Sequence, residues 1–221
     1  MGWLEYSAAW LAFLLSHVLP ARPPLRPWLE TRLGRRGFTL VYSLLALVVL
    51  AWLLRAAGQA PHVPLWDWAP WQRWVPLVTM LPVCLILTLA IARPNPFSFG
   101  GARNERFNPE RPGIIRLSRH PLLLALALWS ASHTVPNGDL AHAVLFGTFA
   151  CFALIGGVMI DHRKQRRMGD RWTRLTLSVG KTAPLPALGD MNTVRRLAAG
   201  VFLYAVLIAL HPSLFGVSPL P

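Results

Sequence analysis

The chain has 221 residues, 54% of them hydrophobic and only 14% charged, against about 25% charged in ordinary soluble domains. That balance excludes a typical soluble core and spends the length on membrane spans. A formal net charge of +13 would suit a nucleic-acid binder, but the positions of the charges along the chain exclude that class.

Six stretches are apolar enough to cross a bilayer, each needing about 20 residues. The first covers 3–19. No basic region precedes it and no small-residue cleavage site follows, so it is expected to be a mature span rather than a leader. Gly2 does not fit the myristoylation pattern. The second span covers 38–54. The third, 75–92, contains Pro76 and Pro82, which kink a helix unless neighbours satisfy the freed carbonyls. The fourth, 121–135, is the shortest. Pro121 suits its first helical position, and Asn137-Gly138 is a turn signal that should end it. The fifth covers 140–160 and the sixth 194–210. Within the fifth, Gly156-Gly157 allows close helix approach. The fold expected is all-α, a single polytopic helix bundle over 1–221 with about six transmembrane helices. Its one sizeable polar stretch, 161–193, should form a basic amphipathic helix and loop on the membrane surface.

Of the 22 basic residues, all but Arg55 and Arg73 fall in three regions. These are the first loop (Arg22 to Arg36), the third loop (Arg93 to Arg119) and the segment from Arg163 to Arg196. Basic loops stay in the cytoplasm, which puts both termini on the non-cytoplasmic side. The charge then reads as an orientation signal with attraction to anionic lipid, not nucleic acid, as its by-product. On the opposite face Trp66, Trp68, Trp71 and Trp74 suit an interfacial aromatic belt. Cys84 and Cys151 lie in apolar runs, match no metal motif, and are expected to be buried thiols.

Ionisable groups at membrane depth are costly and tend to mark a cofactor, ligand or proton path. His17 lies about 21 Å along a helix starting at residue 3, and His133 about 18 Å along one starting at Pro121. The two helices run in opposite directions, so the rings differ in depth by only about 9 Å in a core of about 30 Å. Such a pair could supply both axial ligands of a haem iron. The alternative is two imidazoles donating separately to backbone carbonyls. Arg119-His120 sits at the mouth of the fourth helix, near its positive dipole end, where an anionic group such as phosphate or carboxylate binds well. A structural role as an interfacial anchor is equally open. His62, His142 and His162 are expected to be solvated, and His211 to cap the last span. No Ser-His-Asp set, carboxylate pair, P-loop or dinucleotide fingerprint is visible in the spacing.

Several of these pieces occur in one order. His17 is followed by Leu25-Arg26 and Arg32-Leu33-Gly34, then Arg119-His120-Pro121, Leu128-Trp129 with His133, and Asn137-Gly138-Asp139. Leu145-Phe146-Gly147, Asp161 with Arg163-Lys164, Gly169, Trp172 and the ending from His211-Pro212 to Pro219 complete the set. Over nearly its whole length the chain resembles the NnrU family of bacterial integral membrane proteins.

That resemblance implies the bacterial inner membrane and a link to denitrification, with respiratory nitrogen-oxide reductase components as possible partners. A plant relative of the family, 15-cis-zeta-carotene isomerase, uses haem b held by two histidines, and these fall on His17 and His133 here. Its cysteine three residues before the second ligand is replaced by Ser130, so ligand exchange through a thiolate is not carried over. A broader similarity, to isoprenylcysteine carboxyl methyltransferases and membrane sterol reductases, rests on Arg119-His120-Pro121 with Asp161, Gly169 and Trp172. The glutamate pair and later tyrosines of those enzymes are absent. The resemblance therefore implies a haem b protein with His17 and His133 as metal ligands and Arg119 and His120 as catalytic candidates. As an enzyme it would isomerise a lipid-soluble polyene. The alternatives are a methyltransferase or reductase using the Arg-His-Pro site, or a cofactor-free assembly factor.

Overall fold

The structure, a computed structural model, describes residues 2–99, 102–183 and 190–220. Among them the chain is all-α. The helices are α1 (Gly2–Val18), α2 (Leu25–Gln59), α3 (Trp74–Ala90), α4 (Pro121–Thr134), α5 (Leu140–Met168), α6 (Asp170–Gly180) and α7 (Met191–Phe215). An isolated bridge between Pro64 and Asp139 stands in place of any sheet. Four helices combine the length and apolarity needed to cross a membrane: α2, α3 with the 3-10 turn before it, α5 and α7. At 17 and 14 residues, α1 and α4 are shorter.

Each expected span falls on a helix, but three helices outrun the apolar pattern. α2 starts thirteen residues earlier than its apolar run, at Leu25. Its arginine-rich first segment is separated from the apolar part by Gly34, where φ is 68° and ψ 161°. A side chain would strain that backbone. α5 continues past its apolar part to Met168 and stops where Gly169 takes φ 53°. α7 passes through Pro212 to Phe215 and ends on Gly216 in the left-handed conformation.

The chain divides into two compact units. The first comprises Met1–Trp66 and Asp139–Leu145. Here α1 and α2 pack as a hairpin, with Ala9, Leu53 and Ala56 fully buried between them. A side chain on Gly2 would meet the Gln59 carbonyl at 2.6 Å, so glycine lets the start of α1 close onto the end of α2. The Tyr6 hydroxyl donates to the Ala141 carbonyl at 2.8 Å and joins the start of α5 to this hairpin.

The second unit comprises Asp67–Gly138 and Phe146–Pro221. α3 is its central helix, packed on both α4 and α7. The core gathers Val83, Ile86 and Leu89 of α3 with Phe97, Ile114, Ile115, Ala125, Trp172 and Val179. The α3–α7 crossing is close at Gly200, where a Cβ would sit 2.8 Å from Thr88 Oγ1 and 3.0 Å from Leu85 Cα. Arg196 of α7 donates through Nη1 to the Thr88 and Ile91 carbonyls, at 2.6 and 2.9 Å. It thus caps the end of α3, whose last carbonyls have no partner within the helix.

Leu40, Leu44 and Leu47 of α2, Phe152, Leu154 and Met159 of α5, and Phe202 of α7 all point outward and are more than half exposed. An apolar surface of that extent needs a partner other than water, and with four helices long and apolar enough to cross a membrane these faces suit lipid. The chain is membrane-embedded. Cys84 is buried, whereas Cys151 is exposed on α5, contrary to the expectation of two buried thiols. The polar stretch 161–193 divides into the end of α5, the amphipathic α6 and the start of α7, while 184–189 lie outside the described residues. On α6, Trp172 and Val179 are buried while Arg171 and Arg174 face outward.

Candidate functional site

The mouth of α4 is assembled from four segments of the second unit. Pro121 opens the helix, and its fixed φ suits that first turn. The preceding residue, His120, is excluded from helical geometry by the proline ring and takes φ −119°, ψ 63°. That backbone turns the imidazole off the helix axis. Beneath it the segment after α3 folds back, pinned by the buried Asn95. The Asn95 side chain donates to the Arg119 carbonyl at 3.0 Å, and its oxygen accepts from the Phe97 amide at 3.0 Å. This fixes Ser98, whose Oγ lies 2.9 Å from His120 Nδ1.

The opposite ring nitrogen, Nε2, lies 2.8 Å from Oδ1 of Asp161 on α5. Arg119 Nε donates to the other carboxylate oxygen at 3.1 Å, and its Nη2 reaches the same atom. The carboxylate is therefore shared between a guanidinium fork and an imidazole, the arrangement that makes charge-assisted hydrogen bonds strong and directional. The Arg119 guanidinium also lies 5.7 Å from the ring centre of Trp172. Trp172 in turn packs edge-on against Phe97 at 5.1 Å. Exposure falls across the cluster, from 43% for the Arg119 side chain to 20% for Asp161 and 12% for His120. One cationic group meets the surface, and the titratable ring lies behind it.

With Nε2–H donating to Asp161, Nδ1 of a neutral imidazole accepts the Ser98 hydroxyl proton. On protonation both nitrogens donate and Ser98 turns to accept. The ring can thus gain or lose a proton without losing either bond, with Ser98 or Asp161 as the relay to any further group. Gly157 of α5 leaves the ring its place: a Cβ there would touch His120 Cδ2 at 3.4 Å.

A serine, a histidine and an aspartate are hydrogen-bonded in one chain here, although no such set is visible in the spacing. The members come from three separate segments, with Ser98 and Asp161 lying 22 and 41 residues from His120. Ser98 is only 5% exposed, so it orients the ring rather than presenting a nucleophile to an incoming molecule. The residues that spacing missed are Ser98 and Asn95. Two signals bear on this site: Pro94-Asn95-Pro96, a turn beside an apolar helix end, and Asp161, the one acidic side chain between 140 and 169.

The other two candidate histidines lie in different units, His17 in the first and His133 in the second. His17 Nδ1 lies 2.7 Å from the Phe13 carbonyl, with its ring against Phe13 and Tyr42 at 4.1 and 6.2 Å between centroids. His133 Nδ1 lies 2.8 Å from the Trp129 carbonyl, with Trp129 and Phe146 each at 5.5 Å. Each ring therefore donates from Nδ1 to the carbonyl four residues earlier and sits among aromatic side chains. That bond fixes the tautomer. Nε2 carries the lone pair and has no hydrogen-bond partner among the described residues for either ring. Ser130 is fully buried and donates to the Leu126 carbonyl.

His142, expected to be solvated, is half-buried and paired with Asp139 at 2.6 Å. His211 bonds the Val217 carbonyl at 2.8 Å beyond the end of α7, as expected of a capping residue. No group of three or more His, Cys, Asp or Glu side chains suited to a metal ion occurs among the described residues.

No curated protein and no solved structure matches the chain. The family described as "NnrU protein" matches residues 6–219, which takes in nearly all of both units, the mouth of α4, His17 and His133. The chain belongs to the NnrU family.

Proposed function

We propose that this protein carries haem b on His17 and His133 and acts on a lipid-soluble molecule, with Arg119 and His120 handling protons and negative charge beside it. The observation that supports the haem reading is shared by the two rings. In each, Nδ1–H is anchored on a carbonyl of its own helix, which leaves Nε2 as the metal-binding atom. Second-partner bonds of this kind orient axial histidines and raise their basicity. Imidazoles among aromatic side chains fit an apolar macrocycle. Bound haem would supply a polarising and one-electron redox centre, suited to a conjugated polyene or to nitrogen oxides.

The chain's own residues supply the rest. Trp129 and Phe146 close the surroundings of His133, and Phe13 and Tyr42 those of His17. Arg119 offers a partly exposed cation to an incoming carboxylate, phosphate or developing negative charge. Both ring nitrogens of His120 are engaged, so it exchanges protons through its partners, the Ser98 hydroxyl at Nδ1 and the Asp161 carboxylate at Nε2. We place α1 and α4 within the membrane, as we do the four longer helices, with the arginine-rich loops on the cytoplasmic side and both termini on the other. Isomerisation of a polyene is the enzymatic form of this reading; support of respiratory nitrogen-oxide reductases is the non-enzymatic form.

Haem content provides the test. Detergent-purified protein from haem-replete cells should hold about one haem b per chain, measured as the pyridine haemochrome. Protein that stays haem-free after reconstitution contradicts the proposal.

A further inference from the structure

On the other side of Asn95 and Pro121 from the His120 ring contacts, three guanidinium groups line a second place in the same unit. A cleft of about 180 Å³ opens between the end of α3 and the loop before α4, lined by Arg93, Arg106, Arg111 and Asn108 over apolar Ala90 and Ile114. No carboxylate lines it among the described residues. Asp190 lies near it, with Oδ2 4.0 Å from Arg93, and Glu105 and Glu110 flank Arg106 and Arg111 in sequence but form no ion pair with them among the described residues. Asp190 already accepts from the Asn192 and Thr193 amides as the N-cap of α7. Neither Arg106 nor Arg111 has an ion-pair partner among the described residues.

Local backbone makes room for this convergence. Gly113 takes φ 61°, and a Cβ on it would lie 3.1 Å from Arg93 Nη1. Glycine thus seats the guanidinium against the loop. Three like charges in one concavity repel each other, and the arrangement is stable when an anion sits among them. Arginine forks match phosphate oxygens in pairs, and the Asn108 amide adds a neutral donor. Basic pockets at helix ends of membrane proteins bind phospholipid head groups in this way.

We propose that this cleft binds a phosphate group, carried by an anionic phospholipid or present as free phosphate. The cleft adjoins the Arg119–His120–Asp161 cluster through Asn95 and Pro121, but its arginines are different ones and it needs no haem.

The test uses the full chain in detergent, with inorganic phosphate and phosphatidylglycerol as the two probes. Affinity is followed by calorimetry for the first and native mass spectrometry for the second. Saturable binding of either probe, weakened about tenfold or more in R106Q/R111Q, supports the site, and the probe that binds identifies the source. Should that variant fail to fold, arginine-selective dicarbonyl labelling of the unaltered protein decides. The binding probe should protect Arg106 and Arg111 while the exposed Arg171 stays reactive. Absence of saturable binding by both probes, equal binding by the variant, or labelling unaffected by the probe overturns the proposal.

Discussion

His120 Nε2 lies 2.8 Å from Asp161 Oδ1, and this contact joins the mouth of α4 to α5 where α5 leaves its apolar stretch. Asp161 also accepts from Arg119, so one carboxylate holds two candidate functional side chains. Asp161→Ala should release both, lowering stability by about 1–3 kcal/mol because a half-buried imidazole loses its charged partner. Asp161→Asn keeps an acceptor oxygen and should recover part of that loss. Urea unfolding of the three proteins checks the order; equal stabilities would mean the contact is not formed.

Gly157 sets the space available to the ring. Gly157→Ala places a methyl in ordinary contact with His120 Cδ2 and should be tolerated. Gly157→Leu should displace the ring from Asp161 and destabilise by about 1–3 kcal/mol through overpacking. The His120 imidazole resonances report this directly: they should shift strongly for leucine and slightly for alanine.

At the α3–α7 crossing even one methyl is too many. A Cβ on Gly200 would come within 3.0 Å of backbone in α3, so Gly200→Ala should separate the helices and cost about 1–3 kcal/mol. Alanine in a helix is otherwise favoured over glycine by about 1 kcal/mol, so the sign of the change decides. A rise in thermal midpoint would contradict the crossing.

Asp190 gives the start of α7 a pH dependence. Hydrogen bonds from the Thr193 hydroxyl and the Asn192 and Thr193 amides hold its carboxyl below the usual carboxylate range, with a smaller contribution from Arg93. A carboxylate whose folded value is lowered stabilises fully above its unfolded value and loses that contribution as pH falls through the folded one. The stability gap between the unaltered protein and Asp190→Ala should therefore be constant near neutrality and close in acid below the usual aspartate range. A gap that widens on acidification would refute the cap.

The helices were legible because apolar runs and turn signals act locally. Pro121 and Asn137-Gly138 bracket α4 as read from the chain. The ends of α2 and α5 were not legible: their arginine-rich turns carry no apolar signal and are held by hydrogen bonding and by breaks at Gly34 and Gly169. The candidate site was half legible. Arg119-His120 stands out because charge beside an apolar helix is costly. Ser98 and Asn95 do not, because a short loop refolding under α4 brings them there. Asp161 carries a likeness in sequence, but its bond to His120 exists only once α4 and α5 lie side by side.

His120→Ala separates the two halves of the proposed function. It should leave any bound haem unchanged, since neither His17 nor His133 is among its hydrogen-bond partners, while abolishing turnover that depends on proton transfer. Loss of the haem with His120 would move a ligand to the mouth of α4.

The most direct test of the account is the visible absorption of the purified protein, oxidised and reduced, beside His17→Ala and His133→Ala. The account predicts a six-coordinate low-spin haem spectrum that becomes five-coordinate or disappears in each variant. A protein that shows no Soret band after addition of haem b, or one whose band survives unaltered in both variants, would contradict it.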